Sequence, residues 1–437
     1  MDTPTVEELE ALVSRLREEG GPVLARLPVD RIMGAIDRVT RRLRDPMNPL
    51  RLEAVGAIQA QAGYSLAMAN RVLDGMARDW TRHRLENLVK ADFPDPGVLD
   101  GFRPGPAGGR VRARGYPLVF HLGAGSVPGV TTTSMIRALL VKSASLVRPG
   151  RGDRALPALF ARALQAVDPE VGRSLAVAYW PEPQGEQTLK VLGEADLVVV
   201  YGGDDTLAWV RKRIPPTTAL RGYRHRLGVA VVGRDALRGE GPAASSARIG
   251  AEAVALFDQR GCVSPHVFLV EEGGGVAPEE WARFLAGSLE ALEKSLPSGP
   301  LSAEDGAALQ NRRGQAEVEE SLGRGFVLHG GAAAPWTVHF TPEGVPEASC
   351  LNRVVQVIPV GELGEVPAFL APWRRHLQTV GMAGVGPERE DAFLDAMAEL
   401  GVSRVASMEG VPWPPAWWHH DGTGPLQALV RWTDREP

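Results

Sequence analysis

The chain has 437 residues with a formal net charge of −5, and 44% of them are hydrophobic. This length fits a globular protein of two or three domains, and an acidic chain argues against a nucleic-acid partner, because phosphate backbones repel it. With only Cys262 and Cys350, a disulfide framework is excluded and the reducing cytoplasm is the expected location. No apolar run reaches the roughly 18 residues that predict a membrane span. The acidic N-terminus is also unlike a signal peptide.

The first 90 residues have a helical pattern. Thr5 and Glu8 have the spacing of a capping box, and apolar residues follow at helical intervals. Two more helices are predicted at 29–43 and 65–89, and the prolines of DFPDP end this region. After the Gly- and Pro-rich stretch 102–109, VRARGYPLVFHL predicts one strand that enters a sheet.

Strands and helices then alternate. Strands are predicted within SASLVRPG, SLAVAYW, ADLVVVY, LGVAVV and HVFLVE, and helices at 132–142, 155–167, 243–256 and 278–296. Helices of this length between strands predict an α/β fold with a wound parallel sheet. Further strands at FVLHGG, WTVHF and VVQVIPV predict a second α/β unit, followed by a Trp- and Pro-rich tail.

One cysteine lies between a polar turn and a strongly β-forming run. In FDQRGCVSPHVFLVEE, Cys262 follows a glycine and precedes the strand. A thiol in such a turn has a backbone free to approach a substrate, and neighbouring dipoles set its reactivity. Cys262 is therefore a candidate nucleophile. The alternative is a structural cysteine, since most free cysteines behave as small buried hydrophobes.

A glycine pair follows an apolar strand in VVVYGGDDTLAWV. Gly202 and Gly203 let the backbone approach a phosphate, and the N-terminus of the following helix attracts an anion. A plain tight turn is the alternative. Asp204 and Asp205 then serve as helix caps rather than ligand contacts.

Three arginines follow another strand in LVRPGRGDR. Arg148, Arg151 and Arg154 come at the carboxyl edge of the predicted sheet, where α/β proteins bind ligands. They either bind a phosphate or form a solvated surface. His419 and His420 are adjacent, and a packing role is preferred over a metal site because neighbouring side chains on an extended segment point apart. We predict no metal site.

Read together, these motifs resemble a known family. The Cys262 turn combined with RARGYPL, HLGAGSVPG, YGGDD, LQTVG and HHDG is similar to the LuxC family of acyl-CoA and acyl-protein reductases, relatives of the aldehyde dehydrogenases. The resemblance covers nearly the whole chain. It implies an aldehyde-dehydrogenase-like α/β fold with N-terminal helices and an NADP-binding domain over 1–228, a catalytic domain over 229–420, and a C-terminal tail, 421–437, that forms an oligomerisation arm.

The resemblance also implies a reaction. The enzyme would reduce an acyl thioester, carried by CoA or by a protein, to a fatty or other aldehyde with NADPH. Cys262 would take the acyl group as a covalent thioester, which hydride from the cofactor then reduces. The backbone N–H of Cys262 and the side chain of Ser126 would be the oxyanion donors. Ser126 stands where aldehyde dehydrogenases usually have asparagine.

Further departures from the aldehyde dehydrogenase pattern bear on direction and cofactor. Arg226 precedes Leu227 where oxidising members have the glutamate that activates the deacylating water. This favours reduction or acyl transfer, although another carboxylate such as Glu252 stays an option. Arg148 matches a cofactor-binding lysine, and Arg151 falls near a glutamate of NAD-preferring members, which favours NADPH.

Two alternatives to the reductase stay open. The chain could be an aldehyde dehydrogenase that works in the oxidising or CoA-acylating direction, or a non-catalytic acyl-carrier docking subunit that keeps the fold. The expected partners are the acyl thioester, an acyl-transferring protein and a second copy of the chain, since the superfamily forms homo-oligomers.

Overall fold

The computed structural model describes residues 3–105, 108–331 and 334–437. Within them the chain divides into two compact units. The first comprises the chain up to Ala62 together with Ala69–His225 and Pro415–Pro437. The second comprises Gly63–Met68 and Arg226–Pro414. The tail from Pro415 is therefore part of the first unit.

The chain up to His225 is rich in helices. They are α1 (Val6–Arg15), α2 (Gly21–Arg26), α3 (Val29–Arg44), α4 (Pro49–Ala62), α5 (Leu66–Asp79), α6 (Arg82–Asp92), α7 (Val130–Leu140), α8 (Ala155–Val167), α9 (Pro169–Gly172), α10 (Glu186–Glu194) and α11 (Asp204–Arg211). The strands are β1 (Arg103–Pro104), β2 (Arg110–Gly115), β3 (Leu118–Leu122), β4 (Ala144–Arg148), β5 (Leu175–Val177), β6 (Leu197–Tyr201) and β7 (Ala219–Tyr223).

The rest of the chain contributes longer strands. The helices are α12 (Glu240–Ala255), α13 (Pro278–Ser295), α14 (Ala303–Ser321), α15 (Val366–Leu370) and α16 (Pro387–Glu399). The strands are β8 (Leu227–Val232), β9 (Pro265–Glu271), β10 (Phe326–His329), β11 (Thr337–Phe340), β12 (Val354–Val360), β13 (Leu377–Ala383), β14 (Arg404–Ser407) and β15 (Val430–Arg435).

Local signals predict a helical N-terminal region, but α4 lies outside the predicted helices and one predicted helix is wrong. The capping box is confirmed, since the Thr5 hydroxyl accepts from the Glu8 N–H at 3.1 Å and the Glu8 carboxylate accepts from the Thr5 N–H at 2.8 Å. The single helix predicted over 65–89 is wrong, because α5 and α6 are separate. Thr81 is extended between them, and the buried Trp80 donates its indole N–H to Thr133 at 2.9 Å.

The first unit contains a parallel sheet in the order β5-β4-β3-β6-β7, as the alternation of strands and helices predicts. The single strand predicted over 111–122 is wrong. β2 pairs with β1 and β15 in a separate antiparallel sheet, and Pro117, which has no N–H, separates β2 from β3. Pro106 and Ala107 of the predicted loop or hairpin lie outside the described residues.

The second unit contains a seven-stranded sheet in the order β10-β11-β12-β9-β8-β13-β14, parallel except for β10. One face packs against α12 and α13 around Phe268 and Trp281, and the other packs around Val366 and Phe393 of α15 and α16. Strand β9 is buried along its whole length, and the turn that directly precedes it lies at the amino edge of the sheet. No helix among the described residues has the length and apolar character that a bilayer crossing requires.

Candidate active site

Cys262 lies on a tight turn at the amino end of β9. The Ser264 N–H donates to the Gly261 carbonyl at 2.9 Å, which closes the turn. Gly261, Val263 and Ser264 are buried, whereas Cys262 is partly exposed. The turn thus leaves Cys262 partly exposed while its neighbours are buried.

The residues just before this turn have an unusual backbone. Phe257, Asp258 and Gln259 have φ values of 60°, 47° and 62°, which bulky residues rarely adopt. Such a conformation persists only where surrounding contacts enforce it. The Gln259 amide donates to the carbonyls of Pro265 and Val354, both at 2.8 Å, and its oxygen accepts from the Val354 N–H at 2.9 Å. This side chain therefore ties the run to β9 and β12.

A buried arginine holds the same run from the other side. Arg353 has no exposed surface, and its guanidinium donates to Asp258 at 2.8 Å and to Glu293 at 2.7 Å. Arg353 itself ends a second left-handed run over 351–353, with φ values of 67°, 56° and 66°. The two left-handed runs are joined directly, since the Asn352 N–H donates to the Asp258 carbonyl at 3.2 Å.

Three residues bear on whether Cys262 has a base beside it: His266, Arg226 and Glu252. Burial lowers the pKa of His266 to about 4, and its Nδ1 accepts from the Ser349 N–H at 3.0 Å. Arg226 donates to the Arg375 carbonyl at 2.6 Å. Glu252 lines a groove between α12 and α13. His266 is therefore neutral near pH 7, and its Nδ1 lone pair is engaged.

In the first unit, the loop that contains Ser126 follows β3 and leads into α7. Ser126 is exposed. The loop packs closely on the one after β4, because a Cβ at Gly150 would lie 2.2 Å from the Gly125 nitrogen. Buried Asp153 accepts from the Gly129 N–H at 3.2 Å, at the start of α7. Burial raises the pKa of Asp153 to about 8, and hydrogen bonds from Gly129 and Thr131 oppose the rise.

The predicted phosphate-binding arginines differ from each other. Arg148 is buried, and its guanidinium donates to the Trp180 carbonyl at 2.7 Å and to the Pro181 carbonyl at 3.1 Å. It also stacks on Tyr179, with 5.3 Å from Cζ to the ring centre. Arg151 is exposed on the turn after β4. Arg148 thus fixes the loop after β5, whereas the Arg151 side chain is available to a ligand.

The glycine pair lies where β6 ends. The Gly202 N–H donates to the Tyr223 carbonyl at 3.1 Å, and Gly203 is the N-cap residue of α11. The prediction that Asp204 and Asp205 cap this helix is wrong, because both lie inside its first turn and no side chain caps it. The interpretation of the adjacent histidines is confirmed for His420, which stacks between Tyr223 and Trp418 with ring centres 4.5 and 4.6 Å away.

The structure therefore brings most of the predicted site residues together in the first unit and places Cys262 in the second. Ser126, Arg148, Arg151 and the glycine pair lie at the carboxyl ends of the neighbouring strands β3, β4 and β6 of the first unit. Cys262 belongs to the second unit. No short motif predicts Asp153, Gln259 or Arg353, because their contacts join residues up to 95 positions apart.

Comparison with known proteins agrees with this architecture. The chain matches the family described as acyl-CoA reductase (LuxC) over residues 24–432. It is 25% identical over 418 residues to the long-chain acyl-protein thioester reductase of Aliivibrio fischeri, covering 94% of this chain and 83% of that protein. The Vibrio harveyi protein of the same name is 26% identical over 381 residues, covering 86% of this chain and 76% of that one.

Solved structures show the same fold. The NAD-dependent benzaldehyde dehydrogenase of Corynebacterium glutamicum aligns with a TM-score of 0.77 at 13% identity, over 100% of this chain and 91% of that one. Aldehyde dehydrogenase 21 of Physcomitrella patens also aligns with a TM-score of 0.77, at 11% identity, over 99% and 90% of the two chains. The predicted aldehyde-dehydrogenase-like fold is therefore confirmed, and the chain belongs to the acyl-CoA reductase (LuxC) family.

Proposed function

We propose that this oxidoreductase reduces an acyl thioester to the aldehyde with NADPH through an acyl group held on Cys262. The observation that carries the proposal is the partly exposed Cys262 on the hydrogen-bonded turn before β9, in a member of a reductase family. Curated relatives are named long-chain acyl-protein thioester reductases. We therefore propose a long-chain acyl group, carried by a protein or by CoA, as the substrate.

The Cys262 thiolate attacks the carbonyl carbon of the thioester. A new C–S bond forms to Cys262, the bond to the carrier sulfur breaks, and the carrier thiolate leaves and takes up a proton. The backbone N–H of Cys262 is the first proposed donor to the developing oxyanion, and the Ser126 hydroxyl is the second. After reduction, the thiohemiacetal on Cys262 collapses to release the aldehyde and regenerate the thiolate.

The surroundings of Cys262 favour reduction over hydrolysis. Hydrolysis of the acyl group needs a base that activates water. Arg226, in the position of the usual glutamate, cannot supply one, and Glu252 lines the groove between α12 and α13. The His266 Nδ1 accepts a backbone N–H. These placements support a reductase more than an aldehyde-oxidising enzyme.

The first unit has features that fit a nicotinamide dinucleotide. Glycine-lined loops follow β3, β4 and β6, and the exposed Arg151 lies among them. The Nε atom of nearby Arg154 is buried and has no hydrogen-bond partner among the described residues. We propose that Gly202 and Gly203 approach the pyrophosphate and that Arg151 binds the 2′-phosphate. Arg148 orients the loop after β5, and the bound cofactor supplies the hydride.

We also propose a cytoplasmic homo-oligomer that receives its acyl group from a partner protein. An exposed edge strand supports self-association, because β15 is exposed over most of its length and such edges pair readily with another chain. Both cysteines are thiols, which supports a reducing compartment. Light scattering that gives the mass of one chain at all concentrations would contradict the oligomer.

Intact-protein mass spectrometry tests the covalent step. The protein is incubated without NADPH with thioesters of several chain lengths, on CoA and on a carrier protein. We expect one acyl adduct, lost in Cys262→Ala and kept in the matched control Cys350→Ala. Addition of NADPH should discharge the adduct and release aldehyde. An adduct that persists in Cys262→Ala, or no adduct from any donor, would refute the mechanism.

A further inference from the structure

The sheet of the second unit aligns three residues beside the Cys262 turn. In the register of the strands, Arg404 of β14 lies next to Thr379 of β13, which lies next to Gly228 of β8. Residues in register on parallel strands have their side chains on the same face of the sheet. Arg404 and Thr379 therefore project from the face on which Gly228 leaves a gap.

The Cys262 turn fills that gap. A Cβ at Gly228 would lie 2.4 Å from the Val263 carbonyl oxygen and 2.6 Å from that of Ser264. Only glycine allows so close an approach of the two backbones. The turn is thus packed onto the same face of the sheet as the Arg404 side chain.

Aromatic packing makes a second connection between Arg404 and the turn. The Phe257 ring lies 5.1 Å from that of Trp413, and a Cβ at Gly261 would lie 3.4 Å from Phe257. The backbone N–H of Trp413 donates to the Gly410 carbonyl at 3.2 Å. The same carbonyl accepts from the Arg404 guanidinium at 2.6 Å. A second bond, from Arg404 to the Val411 carbonyl at 2.9 Å, fixes the guanidinium.

The electrostatics agree with this geometry. Burial lowers the pKa of Arg404 to about 10, and the charge of Cys262 opposes that shift. Arg404 therefore stays cationic at neutral pH and lies within electrostatic range of the sulfur. The two carbonyls that hold the guanidinium carry no formal charge, and the positive charge of Arg404 favours a nearby anion.

Two buried hydroxyls accompany the arginine. The Oγ atoms of Thr379 and Ser264 have no hydrogen-bond partner among the described residues, and these residues are 0% and 1% exposed. A buried hydroxyl without a hydrogen-bond partner is destabilising. Both flank the turn, since Ser264 closes it and Thr379 is in register with Gly228. Their positions suit donors to an anion at Cys262.

We infer that Arg404, Thr379 and Ser264 form a cluster that stabilises Cys262 as its thiolate. The thiol proton passes to water, so that no side chain needs to act as its base, and the sulfur keeps the electron pair that attacks the thioester. The inference rests on the proposed role of Cys262 as nucleophile. It adds the means by which the thiol on this turn becomes reactive at physiological pH.

The test measures the reactivity of Cys262 alone. In a Cys350→Ser background, Cys262 is the only cysteine, and intact mass gives its rate of alkylation by iodoacetamide between pH 5 and 10. We expect Arg404→Met to raise the pH midpoint of this rate by about one unit or more and to slow alkylation at pH 7 about tenfold. Thr379→Val and Ser264→Ala should raise the midpoint by smaller amounts.

A matched control separates this effect from general loss of a buried charge. Arg313 is also buried in the second unit and donates to the carbonyls of Ala334, Pro335 and Trp336. Arg313→Met should leave the midpoint unchanged. An unchanged midpoint in a folded Arg404→Met protein, or an equal rise in Arg313→Met, would overturn the inference. Should Arg404→Met not fold, an unchanged midpoint in both hydroxyl variants would overturn it.

Failure of the proposed function gives a different result. If Cys262 does not carry the acyl group, thioesters leave no adduct although alkylation still depends on Arg404. If only the inference is wrong, the acyl adduct forms on Cys262, and the pH midpoint of Cys262 alkylation is the same in the three cluster variants as in the Cys350→Ser parent.

Discussion

Arg353 should be among the most important single side chains for the stability of the second unit. It is fully buried between Asp258, which is 3% exposed in its side chain, and Glu293, which is 16% exposed. Arg353→Met would keep an apolar side chain of similar length but leave Asp258 as a buried carboxylate without its guanidinium. Breaking a buried pair in this way costs about 3–5 kcal/mol, or about two to four powers of ten in the folding equilibrium.

Urea unfolding monitored by fluorescence measures this loss, and a second substitution tests its cause. In the double variant Asp258→Asn with Arg353→Met, the buried charge is gone, and asparagine tolerates the φ of 47° at this position. We expect the double variant to recover about 1–3 kcal/mol relative to Arg353→Met. Arg238→Met is the control, because its pair with Asp235 is 73% exposed on the arginine side and should contribute little.

The result that would refute this reasoning is specific. If Arg353→Met unfolds at the same urea concentration as the parent, the buried pair does not stabilise the fold. If the double variant is no more stable than Arg353→Met, the loss comes from packing rather than from the stranded charge of Asp258. The alkylation rate of Cys262 gives a second readout, because Asp258 is part of the left-handed run that leads to the Cys262 turn.

Three further predictions concern the loops around the site. The raised pKa of Asp153, about 8 against an ordinary 3.8, means that its contribution to folding is present in acid and is lost as the pH rises through 8. Asp153→Asn should therefore gain stability over the parent between pH 4 and 8, by at most about 6 kcal/mol in urea unfolding, and a constant difference would contradict the shift. Gly228→Ala should lower the free energy of unfolding by about 1–3 kcal/mol, because its Cβ meets the Val263 and Ser264 carbonyls. A Cβ at Gly287 would have nothing within 4 Å, so Gly287→Ala should not lower the free energy of unfolding. Equal losses of stability in the two variants would refute the argument. Arg151→Glu should raise the KM for NADPH about tenfold and spare NADH, and an equal change for both cofactors would show that Arg151 does not contact the 2′-phosphate.

Much of the fold is predictable because the signals that specify it are local. The capping box at Thr5 and the strand LGVAVV appear as predicted, since each depends on residues a few positions apart. The errors occur where distant contacts decide. Trp80 turns inward to Thr133 and ends a helix whose periodicity continues, and β2 leaves the predicted strand because β15, more than 300 residues later, pairs with it.

The sequence by itself determines the α/β class, the family and the turn that contains Cys262. The strands, the motifs and the Gly-Cys step can each be recognised from residues a few positions apart, and the order of the motifs is read directly along the chain. Only the tertiary structure decides what surrounds that cysteine. Asp258 and Arg353 lie 95 residues apart, and Arg404 reaches the Cys262 turn only because β8, β13 and β14 are neighbours in the sheet. Hydrophobic periodicity does not predict such contacts, because they depend on which strands, far apart in the sequence, become neighbours in the sheet and in which register.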